Sequence, residues 1–390
     1  NTVDLTYPEC PIYLLYNPTL QKGMMLSILE YALSDERKGK NCAAHDLGIY
    51  PQANGMHYGD SMPLEESANM IILANAICRI TGDGEWLKPY TAVLKTWAEY
   101  CRKEGQNPGN QLCTDDFKGP SEQNTNLSVK AIMAVAAYAE LIPYIGGAKR
   151  DIEKFQNAAK NMALLWEADA RDGDHYRMEF HKSGTWSQKY NLVWDNMWGY
   201  NIFPPEVADR EIKFYLGKQQ KYGLPLDNRD LQTKSDWIFW TASLAPDTDT
   251  FLKFSDRHYD YMNETTSRIP LSDYYLSNTG VTCNFSGRSV IGGLWIKVLK
   301  DRIQPKPQET AWAPKGNHIK TRWAADVTPE NALPEYPRPL LQRSRWMNLN
   351  GLWDYAITDQ NSSAKEFEGQ ILVPYPIESS LSGVMRPLEP

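Results

Sequence analysis

The sequence predicts a mainly α fold: stacked two-helix hairpins forming an (α/α)6 toroid, followed by a short C-terminal β segment. Three observations carry this expectation. Strongly apolar helical segments alternate with amphipathic ones, as inner and outer layers would. Each apolar segment turns tightly into its polar successor, through Thr81-Gly82-Asp83, Gly146-Gly147, Pro204-Pro205 or Pro246-Asp247. Each polar segment returns to an apolar one through a long loop rich in functional side chains. All the long loops then lie on one face, above the N-termini of the inner helices. The pattern yields about ten helices where a closed ring needs about twelve, and the missing first hairpin is expected at the N-terminus.

In chain order, residues 1–16 read as extended, because Val3, Leu5 and Tyr7 alternate and Pro8 and Pro11 oppose a helix. Asn17-Pro18 opens the first helix, with Leu20, Met24, Met25, Ile28 and Leu29 at helical spacing. A polar loop then leads to a helix over 64–82, with Pro63 at its first position and Glu65 and Glu66 in its first turn. Further helices are expected over 85–105, 124–144, 148–170, 194–200, 205–220, 231–244, 248–265 and 287–302. The organisation is therefore a helical domain over 1–303, a Pro-rich linker over 304–336 and a partial β-sandwich over 337–390. In the last piece Trp353, Tyr355 and Ile357 alternate, and Ile371-Leu-Val-Pro makes a second short strand.

Composition narrows the function. A formal charge of −7 argues against a nucleic-acid partner, which would need a basic face. No apolar run is long enough to span a bilayer. The 13 Trp and 22 Tyr suit a sugar or amide ligand and equally a thick helical core. The cysteines Cys10, Cys42, Cys78, Cys101, Cys113 and Cys283 are scattered, with neither a zinc pattern nor a disulfide framework. No phosphate loop, dinucleotide fingerprint, nucleophile elbow or His-Glu-x-x-His occurs. No metal and no cofactor is expected, and the partner is a small-molecule substrate.

The stretch from Ala43 to Leu73 is the focal candidate, a loop of His, Asp, Tyr and Gly entering a buried helix. Its motifs, His45-Asp-Leu-Gly-Ile-Tyr-Pro-x-Ala-Asn-Gly and Met62-Pro-Leu-Glu-Glu-Ser-Ala-Asn-Met, resemble the glutaminase A family. The resemblance continues through Thr114-Asp-Asp-Phe-x-Gly, Asn124-Thr-Asn-Leu-Ser-Val-Lys and Tyr190-Asn-Leu-Val-Trp-Asp. It extends to Gly223-Leu-Pro-Leu-Asp-x-Arg, Thr233-Lys-Ser-Asp-Trp and Phe285-Ser-Gly-Arg-Ser-Val-Ile-Gly-Gly, covering about residues 1–300. It implies a six-hairpin glycosidase-like toroid, release of ammonia from glutamine and an extracytoplasmic location. Asn1-Thr-Val-Asp-Leu-Thr-Tyr-Pro is similar to the middle of the family's domain, so an absent N-terminal portion is a possible partner. Residues 335–390 are similar to the first strands of the sugar-binding sandwich of family 2 glycoside hydrolases, through Trp346-Met-Asn-Leu-Asn-Gly-Leu-Trp-Asp-Tyr-Ala-Ile. That family's catalytic barrel has no counterpart here.

Hydrolysis of an amide or a glycoside needs a proton donor and an activated water, roles that two carboxyls in unlike surroundings can divide. Asp116, with its neighbour Asp115, and Glu66 are the leading candidates, since adjacent acids push each other's pKa values apart. Asp195 and Asp236 begin inner helices and either face the same site or act as helix caps. His45, Asp46, Tyr58, Asn126, Lys234, Trp237 and Arg288 are candidate substrate contacts. Lys234 or Arg288 could hold a substrate carboxylate, or each could sit in an internal ion pair. A glycosidase using two toroid carboxylates, or a non-catalytic carbohydrate-binding protein, is the alternative.

Overall fold

The computed structural model describes residues 2–113, 118–303, 312–316, 319–335, 340, 346–358, 364 and 367–387. The chain divides into two compact units, Asn1–Gln304 and Pro305–Pro390.

Among the described residues the first unit holds eleven α-helices, numbered here in chain order. The inner members are α1 (Val3–Tyr16), α3 (Pro63–Thr81), α5 (Thr125–Leu141), α7 (Val193–Trp198), α9 (Ser235–Ala242) and α11 (Ile296–Ile303). The outer members are α2 (Pro18–Ala32), α4 (Thr91–Glu104), α6 (Lys149–Ala170), α8 (Pro205–Leu216) and α10 (Thr248–Glu264). Inner neighbours touch around a closed ring: α1 on α3, α3 on α5, α5 on the 3-10 turn that opens α7, then α9. The 3-10 segment Ser289–Trp295, which precedes α11, closes the ring between α9 and α1. The ring is thus complete with six inner segments, and α11 is the member without an outer partner among the described residues. No described helix is long and apolar enough to cross a membrane.

Local chemistry explains most boundaries. Pro63 occupies the first position of α3, and Gly82 ends it in the left-handed conformation, φ 71°. The Asn17 side chain caps α2 through the Leu20 N–H, and Asn124 caps α5 through that of Leu127. Nearly every side chain of α3 and α5 is buried, whereas α4, α6, α8 and α10 each bury one stripe.

The extended reading of residues 1–16 is wrong. They form α1, with Pro8 and Pro11 inside it. An interior proline costs roughly 3 kcal/mol through its lost N–H and ring clash. Tertiary burial offsets that cost here, because Val3, Tyr7, Cys10 and Leu14 are all at most 2% exposed. Other differences are at helix boundaries, with the expected 205–220 helix ending at Leu216 and the expected 124–144 helix at Leu141. The expected 85–105 helix begins as a 3-10 segment, Glu85–Tyr90, and the 287–302 helix begins as Ser289–Trp295. The Trp-rich helix starts later, at Ser235, because residues before it form strand β3.

Two short antiparallel strand pairs brace the loop face. Strand β1 (Arg171–Asp172) pairs with β2 (His175–Tyr176), and β3 (Gln232–Lys234) pairs with β4 (Tyr274–Leu276). The second pairing sets Lys234 opposite Tyr274 and fixes two loops far apart in sequence. In the second unit, β5 (Gly351–Tyr355) pairs antiparallel with β6 (Gly369–Val373), with Trp353 opposite Ile371.

None of the six cysteines is joined in a disulfide. Tyr7, Trp194, Trp237 and Trp240 fill the interior of the ring, with Trp237 edge-on to Trp240 at 5.2 Å. The Tyr7 hydroxyl accepts from Trp194 Nε1 at 2.7 Å and donates to Asn191 Oδ1 at 2.8 Å. Most aromatic enrichment therefore belongs to the core.

Closure requires close backbone approach. A Cβ on Gly293 would stand 2.7 Å from the Pro8 carbonyl oxygen and 2.8 Å from Asp236 Cβ. Gly293→Ala is expected to destabilise the unit by about 1–3 kcal/mol, measured by chemical denaturation. A second expectation concerns His258, buried with Nε2 2.7 Å from Ser235 Oγ. Burial lowers its pKa from 6.5 to about 3. The unfolded chain therefore binds the extra proton between those values, so the contribution of His258 is intact above pH 6.5 and fades as pH falls toward 3. Between pH 7 and about pH 5, wild type should lose about 2 kcal/mol more than His258→Gln in urea titrations.

Candidate active site

The N-termini of α1, α3, α5 and α9 converge on the loop face. Asp4 lies in the first turn of α1, and Glu65 and Glu66 lie in that of α3. The Val3 N–H donates to the His45 carbonyl at 2.9 Å, which ties the first long loop to the start of α1. This seats His45 between two carboxyls, with Nε2 3.5 Å from Asp4 Oδ1 and 3.7 Å from Glu66 Oε1. Glu66 is 1% exposed, and Asp4 is half-buried. Tyr58, 48% exposed, stacks on His45 with ring centroids 4.3 Å apart.

Asp46 supports His45 from behind. It accepts the backbone N–H groups of Gly48 and His57 on Oδ1, both at 2.8 Å, and that of Tyr58 on Oδ2 at 3.0 Å. Its Oδ2 is also 3.0 Å from His45 Nδ1. Burial pushes its pKa up, but these hydrogen bonds outweigh burial and hold the carboxyl below its ordinary value.

Burial drives the Glu66 pKa well above the usual range, and the charges of Asp4 and Glu65 raise it further. A hydrogen bond from Asn69 Nδ2 to Oε2 at 3.0 Å opposes the shift without cancelling it. Asp4 is also raised by burial, against the pull of His45 and Lys234. Glu65 forms a fully buried ion pair with Lys130 of α5, whose Nζ lies 4.0 Å from the centre of the Tyr7 ring.

The β3–β4 pairing builds the other side. Lys234 Nζ is 2.9 Å from Asp236 Oδ2. Arg288 grips Asp273 at both ends, Nε to Oδ1 at 3.0 Å and a terminal nitrogen to Oδ2 at 2.5 Å. The Asp236 pKa is raised by burial, opposed by Lys234 and reinforced by Asp273. Both Lys234 and Arg288 act electrostatically on Asp4, linking the two sides of the site.

The residues expected from sequence therefore separate. His45, Asp46, Tyr58 and Glu66 form one cluster, and Lys234, Asp236 and Arg288 form the paired charges beside it. Lys234 and Arg288 occupy internal ion pairs, the other role weighed for them. Trp237 is fully buried and stacks on Tyr190 at 3.9 Å. The Asn126 carbonyl accepts from Asn191 Nδ2 at 3.1 Å, at the base of α5. Asp195 accepts the N–H groups of Ile202 and Phe203, at 3.1 and 3.0 Å, and ties the α7–α8 turn. That makes it a structural acceptor rather than a member of the cluster. Asp115 and Asp116 lie outside the described residues. Asp4 and Lys130, which the structure adds to the charged cluster, are not among the residues expected from sequence. Asp4 was hidden by the extended reading of its segment, and Lys130 by its place in an otherwise apolar helix.

A charged partner deleted from the Glu65–Lys130 pair leaves the other buried and uncompensated. Lys130→Met should cost about 3–5 kcal/mol in denaturant unfolding. The double variant Glu65→Leu with Lys130→Met should recover more than half of that loss.

Comparison with known proteins agrees with this architecture. The glutaminase A six helical-hairpin domain matches residues 1–298. The glutaminase A of Aspergillus oryzae is 34% identical over 310 residues, covering 77% of this chain and 44% of that protein. A probable glutaminase of Arthroderma benhamiae is 25% identical over 383 residues, covering 75% of this chain and 44% of that protein. The chain thus spans less than half the length of these relatives. A glycosidase variant solved in complex with glucose has a TM-score of 0.56 at 12% identity, covering 78% of this chain and 87% of that one. That likeness places the fold in the six-hairpin toroid class. By the match over its first 298 residues, the chain belongs to the glutaminase A six helical-hairpin family.

Proposed function

We propose that the helical unit hydrolyses the side-chain amide of L-glutamine at the loop face. The observation that carries this reading is the convergence of Asp4, His45 and Glu66 beside ion pairs of both signs. A free amino acid carries one anionic and one cationic group next to its reactive side chain. Lys234 and Arg288, held in internal ion pairs, would meet its carboxylate only by exchanging partners, which would free Asp236 or Asp273 for its ammonium. A neutral sugar uses neither charge. The relatives named as glutaminases support the same substrate.

The chemistry needs one water. Held among Asp4, His45 and Glu66, it attacks the amide carbon and releases a proton to the cluster. The carbon–nitrogen bond then breaks, and the proton leaves with nitrogen as ammonia, giving glutamate. Tyr58, stacked on His45 at the exposed side, shields the reacting groups from bulk water.

The test is ammonia release from glutamine beside reducing-sugar release from a mixed glycan panel. Asp4→Asn and Glu66→Gln should each lower ammonia release by about 10²–10⁴-fold while near-UV circular dichroism is retained. Sugar release lost in the same variants, without ammonia release, would make the toroid a glycosidase. Ammonia release unchanged in both variants would move the reaction elsewhere.

A further inference from the structure

The centre of the loop face carries an imbalance of charge. Glu65 is paired with Lys130, Asp236 with Lys234, and Asp273 with Arg288. Asp4 and Glu66 remain, and the group between them is His45. Asp4 Oδ1 and Glu66 Oε1 are buried and accept no hydrogen bond. Both are within reach of the same ring nitrogen.

The tautomer of His45 follows from its neighbours. Three backbone N–H groups donate to Asp46, so that carboxylate acts as an acceptor, and the contact at His45 Nδ1 is a donation from the ring. A neutral ring then directs the Nε2 lone pair toward two oxygens that also bear lone pairs. A cation among the three atoms, or a proton held on one of the carboxyls, makes this arrangement stable in a buried place.

We propose that Asp4, His45 and Glu66 bind a divalent metal ion of the zinc–manganese class. The donor atoms all lie within 4.8 Å of one another. Metal–ligand bonds of about 2.0–2.2 Å set neighbouring donors of one ion roughly 3–3.5 Å apart, so small inward shifts complete the site. An imidazole nitrogen among the donors favours a transition metal over calcium or magnesium, which prefer oxygen alone. The Asp46–His45 contact is the outer support that metal-binding histidines ordinarily have, fixing the tautomer and turning the second nitrogen to the ion. Three protein ligands leave a coordination position for water. This inference deepens the hydrolase reading and rests on it only for the role of that water.

Isothermal titration of the chelator-treated chain with Zn²⁺ and with Mn²⁺, checked by elemental analysis, tests the site. The expected result is one ion per chain, with affinity reduced about 100-fold or more by Asp4→Asn or Glu66→Gln and about 10–100-fold by Asp46→Asn. His181→Ala, on an exposed loop, should leave affinity unchanged. Should Glu66→Gln misfold, the absorption spectrum of the Co²⁺-loaded chain and its change in His45→Asn give the same information. Absence of saturable binding, or binding that survives both Asp4→Asn and His45→Asn, overturns the proposal. Full ammonia release by ion-free chain would reject a metal role and leave the hydrolase reading standing. A bound ion without ammonia release would uphold the site and reject glutamine as substrate.

Discussion

The approach of α1 to the Gly292–Gly293 backbone is the constraint on which the first unit depends. Six inner segments make a ring only if the last reaches the first, and here the backbones meet with no room for a side chain. A Cβ at Gly292 would lie 2.7 Å from the Glu9 carbonyl oxygen, as tight as the contact at Gly293. The same closure carries Asp4 to the starts of α3 and α9. Architecture and site thus have one origin: the ring joins at the place where the charged residues gather.

That gathering explains the unusual interior. Inner helices of a toroid are buried on nearly all sides, so any charge at their N-termini must find a partner within the ring. Lys130 enters the apolar body of α5 to meet Glu65 and also covers the face of Tyr7. Lys234 and Asp236 are two residues apart on a strand-to-helix junction, and Arg288 comes from the next long loop to hold Asp273. The Glu65–Lys130 pair joins two inner helices, while the other two pairs pin the junction into α9 and the connection that leads to Ser289.

Much of this was legible in the sequence, for identifiable reasons. Pro63 and Gly82 bracket α3, Asn17 and Asn124 are good caps, and the alternation of tight and long connections placed the loops on one face. Those signals are local. The helix α1 was not legible, because Pro8 and Pro11 oppose it locally and only burial across the ring overrides them. Asp4 disappeared with it. Glu66, His45 and Tyr58 stood out because they share a short stretch, whereas the roles of Lys234 and Arg288 depend on partners set by the β3–β4 register. Asp195 looked like a helix-start acid, yet the six-residue α7 is so short that its carboxylate reaches the following turn.

The placement of long and tight connections has a consequence for handling and redesign. The tight turns, such as Gly146-Gly147 before the exposed Lys149, lie on the face away from the charged centre. They offer points of attachment for a carrier, a label or a fused domain whose bulk would not obstruct the mouth. The long loops are tied to one another, β3 to β4 and His45 to the start of α1, so they would have to be exchanged together over the fixed frame. The molecule is therefore divided into a face for grafting and a face for selectivity, with the ring of inner helices as the insulating wall between them.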